Sequence, residues 1–432
     1  MAGALLLATQ AAAVAAEEES RYQDSYPEAA SKKGLQVEMV EDALALDVKH
    51  AALNVDLCKL VDPEADEGDT DEGGTEQARW TYKGHDFFFK GAYAARLDRD
   101  IKALSSEGVI VNMIFLVGRS KNEAINRHML HPGLDKSGPN RSATFNSVTT
   151  EGRQWLVATM EFLAERWSRP DRKYGRVAGY IIGNEVNNHW SWSNRGRATM
   201  REFADDYLRA VRLAHGAVRR QSSWARVYVS LDHHWNVRDQ GWDERQSFAG
   251  RAFLDYFAER ARQGNGGDFD WHLAFHPYPE NLFEPRFWND KSALPQDDTP
   301  KITFKNLEVL TRYFQRKELF YNGKPRRIIL SEQGFHTPDG PDAEEIQAAA
   351  YCLAYKKVEA LDGIDAFILH RHVDHPREGG LRLGLRRYLP GTPEPRPKKK
   401  VYHCFRFADT PDWEAAFQFA LPIVGIESWE QR

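Results

Sequence analysis

The sequence predicts an α/β fold, a single (β/α)8 barrel of the TIM type with long loop insertions. Three observations predict this architecture. Short apolar runs alternate with amphipathic segments along most of the 432-residue chain. The runs are bounded by glycine or polar residues, as is typical of strands buried on both faces of a parallel sheet. Polar or aromatic residues follow the runs repeatedly, at the positions where a parallel barrel carries its functional groups.

Eight apolar runs are predicted as strands because they are rich in β-branched and aromatic residues and end at glycine or a polar residue. The first run is short and has the weakest pattern, whereas the third is apolar almost throughout. The fourth and the seventh each end at a glutamate. In chain order, the strands are expected at 34–37, 50–56, 109–117, 179–185, 227–231, 271–275, 327–332 and 364–370.

Amphipathic segments between these runs are predicted as helices, since their apolar residues recur at helical spacing. They are expected at 39–47, 94–107, 149–168, 197–219, 247–263, 303–319 and 343–361. A first insertion at 62–90 combines an acidic, glycine-rich loop with a hairpin formed by 80–82 and 87–90. A second insertion at 118–148 is rich in Asn, Gly and Pro. Since long loops often have a function, we expect both insertions to border a cleft.

The composition fits one folded domain with a large core, since apolar residues make up 42% of the chain. We expect a catalytic domain over residues 31–432, preceded by a flexible or signal-like tail over residues 1–30. Residues 2–16 are small and apolar like a signal-peptide core, although no Lys or Arg precedes them. They favour a secreted or periplasmic protein, with a cytoplasmic location as the alternative.

Charge and cysteine content argue against several classes of function. Lys and Arg number 58 against 63 acidic residues, a net charge of −5, so nucleic acid is not an expected partner. The three cysteines lie far apart and lack the spacing of a metal site or a disulfide framework. Beyond the N-terminal segment, no apolar run approaches the roughly 18 residues of a membrane span, so no membrane partner is expected.

Two glutamates at strand ends are the strongest functional signal. Glu185 ends the fourth predicted strand and Glu332 ends the seventh. Because these strands lie across a barrel mouth from one another, both carboxyl groups are expected to face one cavity. Glycoside hydrolysis uses such a pair, one group to protonate the leaving oxygen and one to face the developing oxocarbenium ion. A separation of about 5 Å lets the second group attack directly, and the configuration is then retained. No cofactor is needed.

Further residues after the strands are candidates for contacts with a sugar. Asn184 is expected to hydrogen-bond the 2-hydroxyl group, and Tyr278 to orient the Glu332 carboxylate. The other candidates are polar residues at strand ends and indoles able to stack on sugar rings, namely His276, His234, His370, Asn54, Trp190 and Trp235. Each of these also has a structural interpretation, as loop packing for the tryptophans and as core or turn hydrogen bonding for the others.

These motifs resemble the large clan A of retaining glycoside hydrolases. The resemblance depends on Asn184-Glu185 at the fourth strand, His276-Pro-Tyr278 at the sixth and Ser331-Glu332 at the seventh, and its strand order covers residues 34–410. It implies a (β/α)8 barrel with Glu185 as acid/base and Glu332 as nucleophile. The expected substrates are then β-linked glycosides, as oligo- or polysaccharides.

Two positions depart from the pattern of that clan. Many of its members carry an arginine on strand two, where this chain has Ala51-Ala52, and a tryptophan after strand eight, where it has His370-Arg-His372. The chain is also similar to a bacterial branch that is catalogued only as a domain of unknown function. The segments that carry this second similarity are 32–36, 49–54 and 379–384.

Two alternatives from other classes remain open. Histidines cluster at 232–234 and at 370–375, which suggests a metal-dependent hydrolase on the same barrel. Metal-dependent barrels usually carry their His-x-His pair on an early strand, so we assign no metal ligand. The other alternative is a barrel that binds carbohydrate without turning it over.

Overall fold

The computed structural model describes residues 19–72, 74–264, 266–391 and 396–432. Within these ranges eight parallel strands, β1 to β8, pair in sequential order, and β8 pairs with β1 to close a barrel. The predicted (β/α)8 barrel is therefore confirmed. The strands are β1 Lys33–Gln36, β2 His50–Asp56, β3 Ile110–Gly118, β4 Gly179–Ile182, β5 Arg226–Asp232, β6 Trp271–His276, β7 Ile328–Gln333 and β8 Ile364–Leu369.

The inside of the barrel is filled by side chains from β2 to β8. They form a buried cluster separate from the larger core that lies between strands and helices. Its members are Ala52, Ile114, Ile181, Tyr228, Ala274, Ile329, Ala366 and Ile368. Because these side chains close the interior, the barrel is packed like a core, and polar chemistry is confined to its two ends.

Helices surround the barrel. They are α1 Val40–Ala45, α2 Leu57–Leu60, α3 Gly91–Ser106, α4 Glu123–Met129, α5 Thr150–Ser168, α6 His189–Trp192, α7 Met200–Gln221, α8 Gly250–Gln263, α9 Glu308–Tyr313, α10 Ala343–Glu359, α11 Lys400–Phe407, α12 Trp413–Phe417 and α13 Ala420–Val424. The hydroxyl group of Thr199 accepts a hydrogen bond from the Glu202 backbone, and the Glu202 side chain accepts one from Thr199. This capping box fixes the start of α7.

The predicted helix at 303–319 is wrong as a single element. The chain there forms a 3-10 turn at Phe304–Asn306, the short helix α9, and a second 3-10 turn at Lys317–Leu319. The side-chain amide of Asn306 donates to the carbonyl oxygens of Leu294 (2.7 Å) and Lys301 (3.0 Å). These bonds tie the segment to the preceding loop, so a tertiary contact overrides the helical pattern.

The first insertion contains the predicted hairpin, with strands Ala78–Tyr82 and His85–Phe89. The hairpin packs on the outer helix α5, where Phe89 stacks on Phe162 with ring centroids 4.3 Å apart. Trp80 Nε1 also donates to Glu161 on the same helix. The expectation that this hairpin borders a cleft is therefore corrected, since its apolar face covers α5.

The second insertion lies beside the chain that follows β4. It contains α4 and a two-residue strand, Ser142–Ala143, that pairs with β3. Asn140 Nδ2 donates to the carbonyl oxygen of Ser191, in α6, at 3.0 Å. This segment therefore supports the loop that begins at Glu185.

The predicted N-terminal tail is only partly within the described ranges, since residues 1–18 lie outside them. The Tyr22 backbone N–H donates to the Gln221 carbonyl oxygen, and the Tyr26 ring lies 3.5 Å from the Arg226 guanidinium carbon. Residues 19–30 thus run against the amino end of the barrel. In the part of the chain that is described, no helix combines the length and apolar character of a membrane span.

Candidate active site

Glu185 stands just beyond the carboxyl end of β4, before the short helix α6. Its backbone has φ 41° and ψ 53°, a left-handed conformation that costs a non-glycine residue free energy and that functional sites often tolerate. The Glu185 backbone N–H donates to Ser230 Oγ on β5 at 3.0 Å. Only 9% of the Glu185 surface is exposed. The local backbone and β5 together hold this carboxyl group at the barrel mouth.

Glu185, His276 and Glu332 form one cluster, called here the mouth cluster. His276 Nδ1 lies 2.9 Å from Glu185 Oε1, and His276 Nε2 lies 3.0 Å from Ser331 Oγ. One nitrogen or oxygen atom from each member of the cluster lies within 4.8 Å of the others. The two glutamates, from β4 and β7, thus approach to the separation of about 5 Å at which one carboxylate can attack while the other transfers a proton.

Tyr278 joins the mouth cluster from the loop after β6. Its hydroxyl group donates to Glu332 Oε1 at 3.3 Å. Burial raises the pKa of Tyr278 well above its ordinary value, and the negative charges of Glu332 and Glu185 raise it further. The phenol therefore stays neutral and can act as a hydrogen-bond donor to the carboxylate.

The charges in the mouth cluster are unequal, with two carboxyl groups around one imidazole. Burial raises the pKa of Glu185, and the hydrogen bond and charge of His276 oppose this rise without cancelling it. Burial lowers the pKa of His276, but the hydrogen bond with Glu185 and the charges of both glutamates outweigh burial and raise it. A carboxyl group whose pKa is raised, beside a second carboxyl group, is the arrangement that acid/base chemistry needs.

Asp232, at the end of β5, links two further side chains beside the mouth cluster. Asn187 Nδ2 donates to Asp232 Oδ1 at 2.5 Å, and His234 Nδ1 lies 2.8 Å from Asp232 Oδ2. Burial lowers the pKa of His234, but the charge of Asp232 outweighs it and raises the pKa. His234, predicted to contact a sugar, is therefore held in one orientation by a buried carboxylate.

The other polar residues predicted for the site occupy the ends of β2, β4 and β8. Asn184 is partly exposed beside Glu185, and its carbonyl oxygen accepts a hydrogen bond from Ser193 Oγ. Asn54 is exposed at the end of β2, and its Oδ1 accepts from Gln36 Nε2 at 3.4 Å. His370 Nδ1 contacts the same glutamine at its Oε1. One side chain, that of Gln36, thus bridges the ends of β2 and β8.

Gln36 and Glu378 were not predicted as site residues. Gln36 is the last residue of β1 and links Asn54 to His370. Glu378 Oε1 lies 2.7 Å from His370 Nε2 and also accepts from Arg371 Nη1 at 3.2 Å. The rule that functional residues follow strands could have identified Gln36. Glu378 lies eight residues after His370, so spacing gave no signal for it.

The two predicted tryptophans do not reach the mouth cluster as exposed platforms. Trp235 is fully buried, and its ring meets Tyr313 of α9 edge to face, with centroids 4.9 Å apart. Trp190 is 5% exposed. The Trp235 backbone N–H donates to the Pro300 carbonyl oxygen, so the indole packs a loop onto the barrel. Both rings are therefore buried in packing contacts, which is the structural interpretation that the sequence also allowed.

The mouth cluster also has the spacing of a metal site. Across the described ranges, Glu185, His276 and Glu332 are the set of histidine and carboxylate side chains grouped closely enough to hold an ion. Three of the histidines that suggested a metal in the sequence have carboxylate partners, since His234 pairs with Asp232, His370 with Glu378 and His372 with Asp42. A metal, if bound, would therefore compete with the His276–Glu185 hydrogen bond.

The barrel is similar to those of several solved glycosidases. A hyperthermophilic β-glucosidase from Pyrococcus furiosus is 15% identical, with a TM-score of 0.57 over 89% of this chain and 86% of that chain. The β-glycosidase BGL167 is 14% identical, with a TM-score of 0.53 over 88% of this chain and 85% of that chain. A family 39 glycoside hydrolase from Bacteroides cellulosilyticus WH2 is 14% identical, with a TM-score of 0.53. That match covers 90% of this chain but spans only 63% of the other. At these identities the likeness shows the fold.

The sequence matches the profile of a family of unknown function, DUF5722, over residues 25–432. The chain belongs to this family. The similarity to a branch catalogued only as a domain of unknown function is thereby confirmed. A comparison with curated protein sequences finds no match.

Proposed function

We propose that the protein is a retaining glycoside hydrolase that cleaves β-linked oligo- or polysaccharides. Glu332 is the nucleophile and Glu185 is the acid/base. The observation that carries the proposal is that one carboxylate oxygen of each glutamate lies within 4.8 Å of the other, around a buried histidine at the carboxyl end of the barrel. This separation suits a retaining mechanism, because an inverting pair stands about 6.5–9.5 Å apart to admit a water molecule.

In the first half-reaction, a carboxylate oxygen of Glu332 forms a bond to the anomeric carbon while the bond from that carbon to the leaving oxygen breaks. Glu185 transfers its proton to this oxygen, so the leaving group departs as an alcohol. Burial supports this role, since it raises the pKa of Glu185 and keeps the proton in place. The Tyr278 hydroxyl group orients the attacking carboxylate.

In the second half-reaction, the Glu185 carboxylate takes a proton from water, and the resulting hydroxide oxygen bonds to the anomeric carbon. The bond between this carbon and Glu332 breaks, and the sugar leaves with its original configuration. His276 supports the exchange, because its raised pKa provides a positive charge 2.9 Å from the Glu185 carboxylate that exists between the two steps.

The sugar contacts we propose come from strand ends around the mouth cluster. Asn184, Asn54, His234, His276 and His370 supply hydrogen-bonding groups there. The likeness of the barrel to a β-glucosidase and a β-glycosidase supports a glycoside as substrate. The resemblance of the Asn184-Glu185 and Ser331-Glu332 motifs to clan A supports the roles of the two glutamates.

Two variants test the proposal, Glu332→Gln and Glu185→Gln, on aryl β-glycosides whose leaving groups differ in pKa. Glu332→Gln should abolish turnover on every substrate, because the amide cannot form the glycosyl bond. Glu185→Gln should lower kcat/KM by about 10²- to 10⁴-fold on poor leaving groups and much less on a dinitrophenolate, which departs without a proton. An equal loss on all leaving groups would contradict the role of Glu185, and activity in Glu332→Gln would contradict the nucleophile.

The spacing of the mouth cluster favours a second candidate, a metal-dependent hydrolase. Glu185, His276 and Glu332 would hold an ion that activates water. Hydrolysis that survives thorough chelation and is not stimulated by Zn²⁺ or Mn²⁺ would exclude this function. A wild-type protein that is inert on a broad panel of glycosides yet binds polysaccharide would instead indicate a carbohydrate-binding barrel.

A further inference from the structure

Exposed apolar side chains are concentrated at one end of the barrel. In the described ranges, the large ones lie in the segments that follow β4, β6 and β8, which all open on the carboxyl end. They are Trp192 after β4, Leu282, Phe283 and Leu294 after β6, and Leu389 after β8. Single exposed apolar side chains are common on protein surfaces, so a ring that several loops support is the better candidate for a ligand contact.

Phe283 is the most exposed of these side chains, at 51%. Its ring meets His336 edge to face, with centroids 5.2 Å apart and planes at 68°. A Cβ atom built on Gly380 would lie 3.9 Å from Phe283 Cε1, so the chain after β8 passes the ring without presenting a side chain to it. The loops after β6, β7 and β8 therefore converge on one aromatic ring, which they support and leave half uncovered.

These three loops are the ones that begin beside the mouth cluster. Phe283 is five residues after Tyr278, so their Cα atoms lie within roughly 18 Å of each other. His336 is four residues after Glu332, which limits that separation to about 14 Å. Phe283 and His336 thus lie in the loops that carry Tyr278 and Glu332, at the carboxyl end of the barrel and outside the mouth cluster itself.

Polar side chains flank Phe283 in its loop. Asn281 Oδ1 accepts a hydrogen bond from the Phe283 backbone N–H at 3.0 Å. Arg286 and Glu284 form an ion pair at 2.9 Å in the same loop. An aromatic face bordered by hydrogen-bonding side chains matches a pyranose, whose C–H face is apolar and whose rim carries hydroxyl groups. An interface for a protein would bury a larger continuous area.

We infer that Phe283 is the platform of an additional sugar subsite on the rim formed by the loops after β6, β7 and β8. This inference rests on the proposed function and makes the preferred substrate an oligosaccharide. One sugar unit stacks on Phe283 while another unit of the same chain occupies the mouth cluster. Phe283 touches neither the scissile bond nor the glutamates, so it acts on binding of longer substrates and not on bond cleavage.

The test compares short and long substrates in Phe283→Ala, with Phe283→Trp as the conservative variant and Leu389→Ala as the matched control. The probes are p-nitrophenyl β-glucoside, β-xyloside and β-mannoside and the aryl glycosides of their β-linked di- and trisaccharides. Phe283→Ala should lower kcat/KM about tenfold on the best trisaccharide, mainly through KM, and change the best monoglycoside less than about twofold. Phe283→Trp should keep the preference for the longer substrate, and so should Leu389→Ala.

An equal loss on short and long substrates, or an unchanged trisaccharide preference in Phe283→Ala, would overturn the platform. The proposed function fails separately, when the wild-type protein hydrolyses none of the probes. In that case calorimetric titration of wild type and Phe283→Ala with the unsubstituted trisaccharides still tests whether a sugar unit stacks on Phe283. Weaker binding by the variant supports it, and equal binding or no binding by wild type overturns it.

Discussion

At the amino end of the barrel a carboxylate lies between two arginines, whereas at the carboxyl end a histidine lies between two glutamates. Asp365, on β8, accepts from Arg226 Nη1 at 2.8 Å and from Arg327 Nε at 3.0 Å. His276 Nδ1 is 2.9 Å from Glu185 Oε1. One nitrogen or oxygen atom from each of Glu185, His276 and Glu332 lies within 4.8 Å of the others. Both arrangements are built on the same parallel strands, but their balance of charge is opposite.

This difference sets the protonation of the two carboxyl groups. Burial raises the pKa of Asp365, but the hydrogen bonds and charges of Arg327 and Arg226 outweigh burial and lower it. Burial also raises the pKa of Glu185, and one shared histidine does not reverse the rise. A carboxyl group with surplus partners stays ionised and stabilises the fold. One with too few partners holds a proton that can be transferred.

The amino end of the barrel also carries a cavity. A cavity of about 850 Å³ lies at the amino end, bordered by Arg226, Arg327 and Asp365. His50 also borders it, and burial lowers the pKa of this histidine to about 4, so the imidazole is neutral. Here the Asp365 carboxylate is matched by two arginines, and the imidazole beside them is neutral. The unequal charges of the mouth cluster distinguish it from this cavity, and we propose the carboxyl end as the functional one.

The difference in protonation between the two ends of the barrel should change most in His276→Asn, which removes the positive charge beside Glu185. That charge lowers the pKa of Glu185, so its loss should raise this pKa further. Glu185 then keeps its proton to higher pH. The alkaline limb of kcat/KM against pH, measured on an aryl glycoside with a poor leaving group, should therefore move upward.

The control for this variant is His215→Asn, which removes a histidine on the outer helix α7. It should leave the alkaline limb in place. If the alkaline limb of kcat/KM in His276→Asn stays at the wild-type pH or moves to lower pH, the histidine does not set the protonation of Glu185.

A smaller effect, on stability alone, is expected from Asp365→Asn at the amino end. The change leaves Arg226 and Arg327 without their carboxylate and should lower the free energy of unfolding at pH 7 by about 2–3 kcal/mol. Because the pKa of Asp365 is lowered in the folded protein, its stabilisation is present above the unfolded pKa of about 3.9 and is lost as pH falls below it. The difference in the free energy of unfolding between wild type and Asp365→Asn should therefore become smaller as the pH falls.

Denaturant unfolding measures this loss, with Asp339→Asn as the control. Asp339 forms an exposed pair with Arg382, so its variant should leave the unfolding midpoint unchanged. The kcat and KM of Asp365→Asn should equal those of wild type. A change in kcat or KM would contradict the prediction that Asp365, at the amino end, acts on stability alone.

The carboxyl end was predictable from the sequence because strand ends are marked locally. The runs before Glu185 and Glu332 are apolar and stop at polar residues, and His276-Pro-Tyr278 follows another such run. The barrel order then brings these ends together without further information. Local pattern and closed topology together predicted the approach of the two glutamates.

The remaining features depend on contacts that no local pattern specifies. Asp365 and Arg226 are 139 residues apart, and their pairing follows only from the exact strand register. Trp235 and His234 are neighbours, yet one packs against Tyr313 while the other binds Asp232, and spacing did not distinguish them. The helix expected at 303–319 breaks because Asn306 bonds a loop.

The central claim is that Glu332 attacks the anomeric carbon while Glu185, less than 5 Å away, transfers the proton. Proton NMR of the first product released from an aryl β-glycoside, recorded before mutarotation, tests this claim most directly. The account predicts that the β-anomer appears first, since two displacements at one carbon restore its configuration. The α-anomer as first product would mean that water attacks directly, and it would contradict Glu332 as nucleophile.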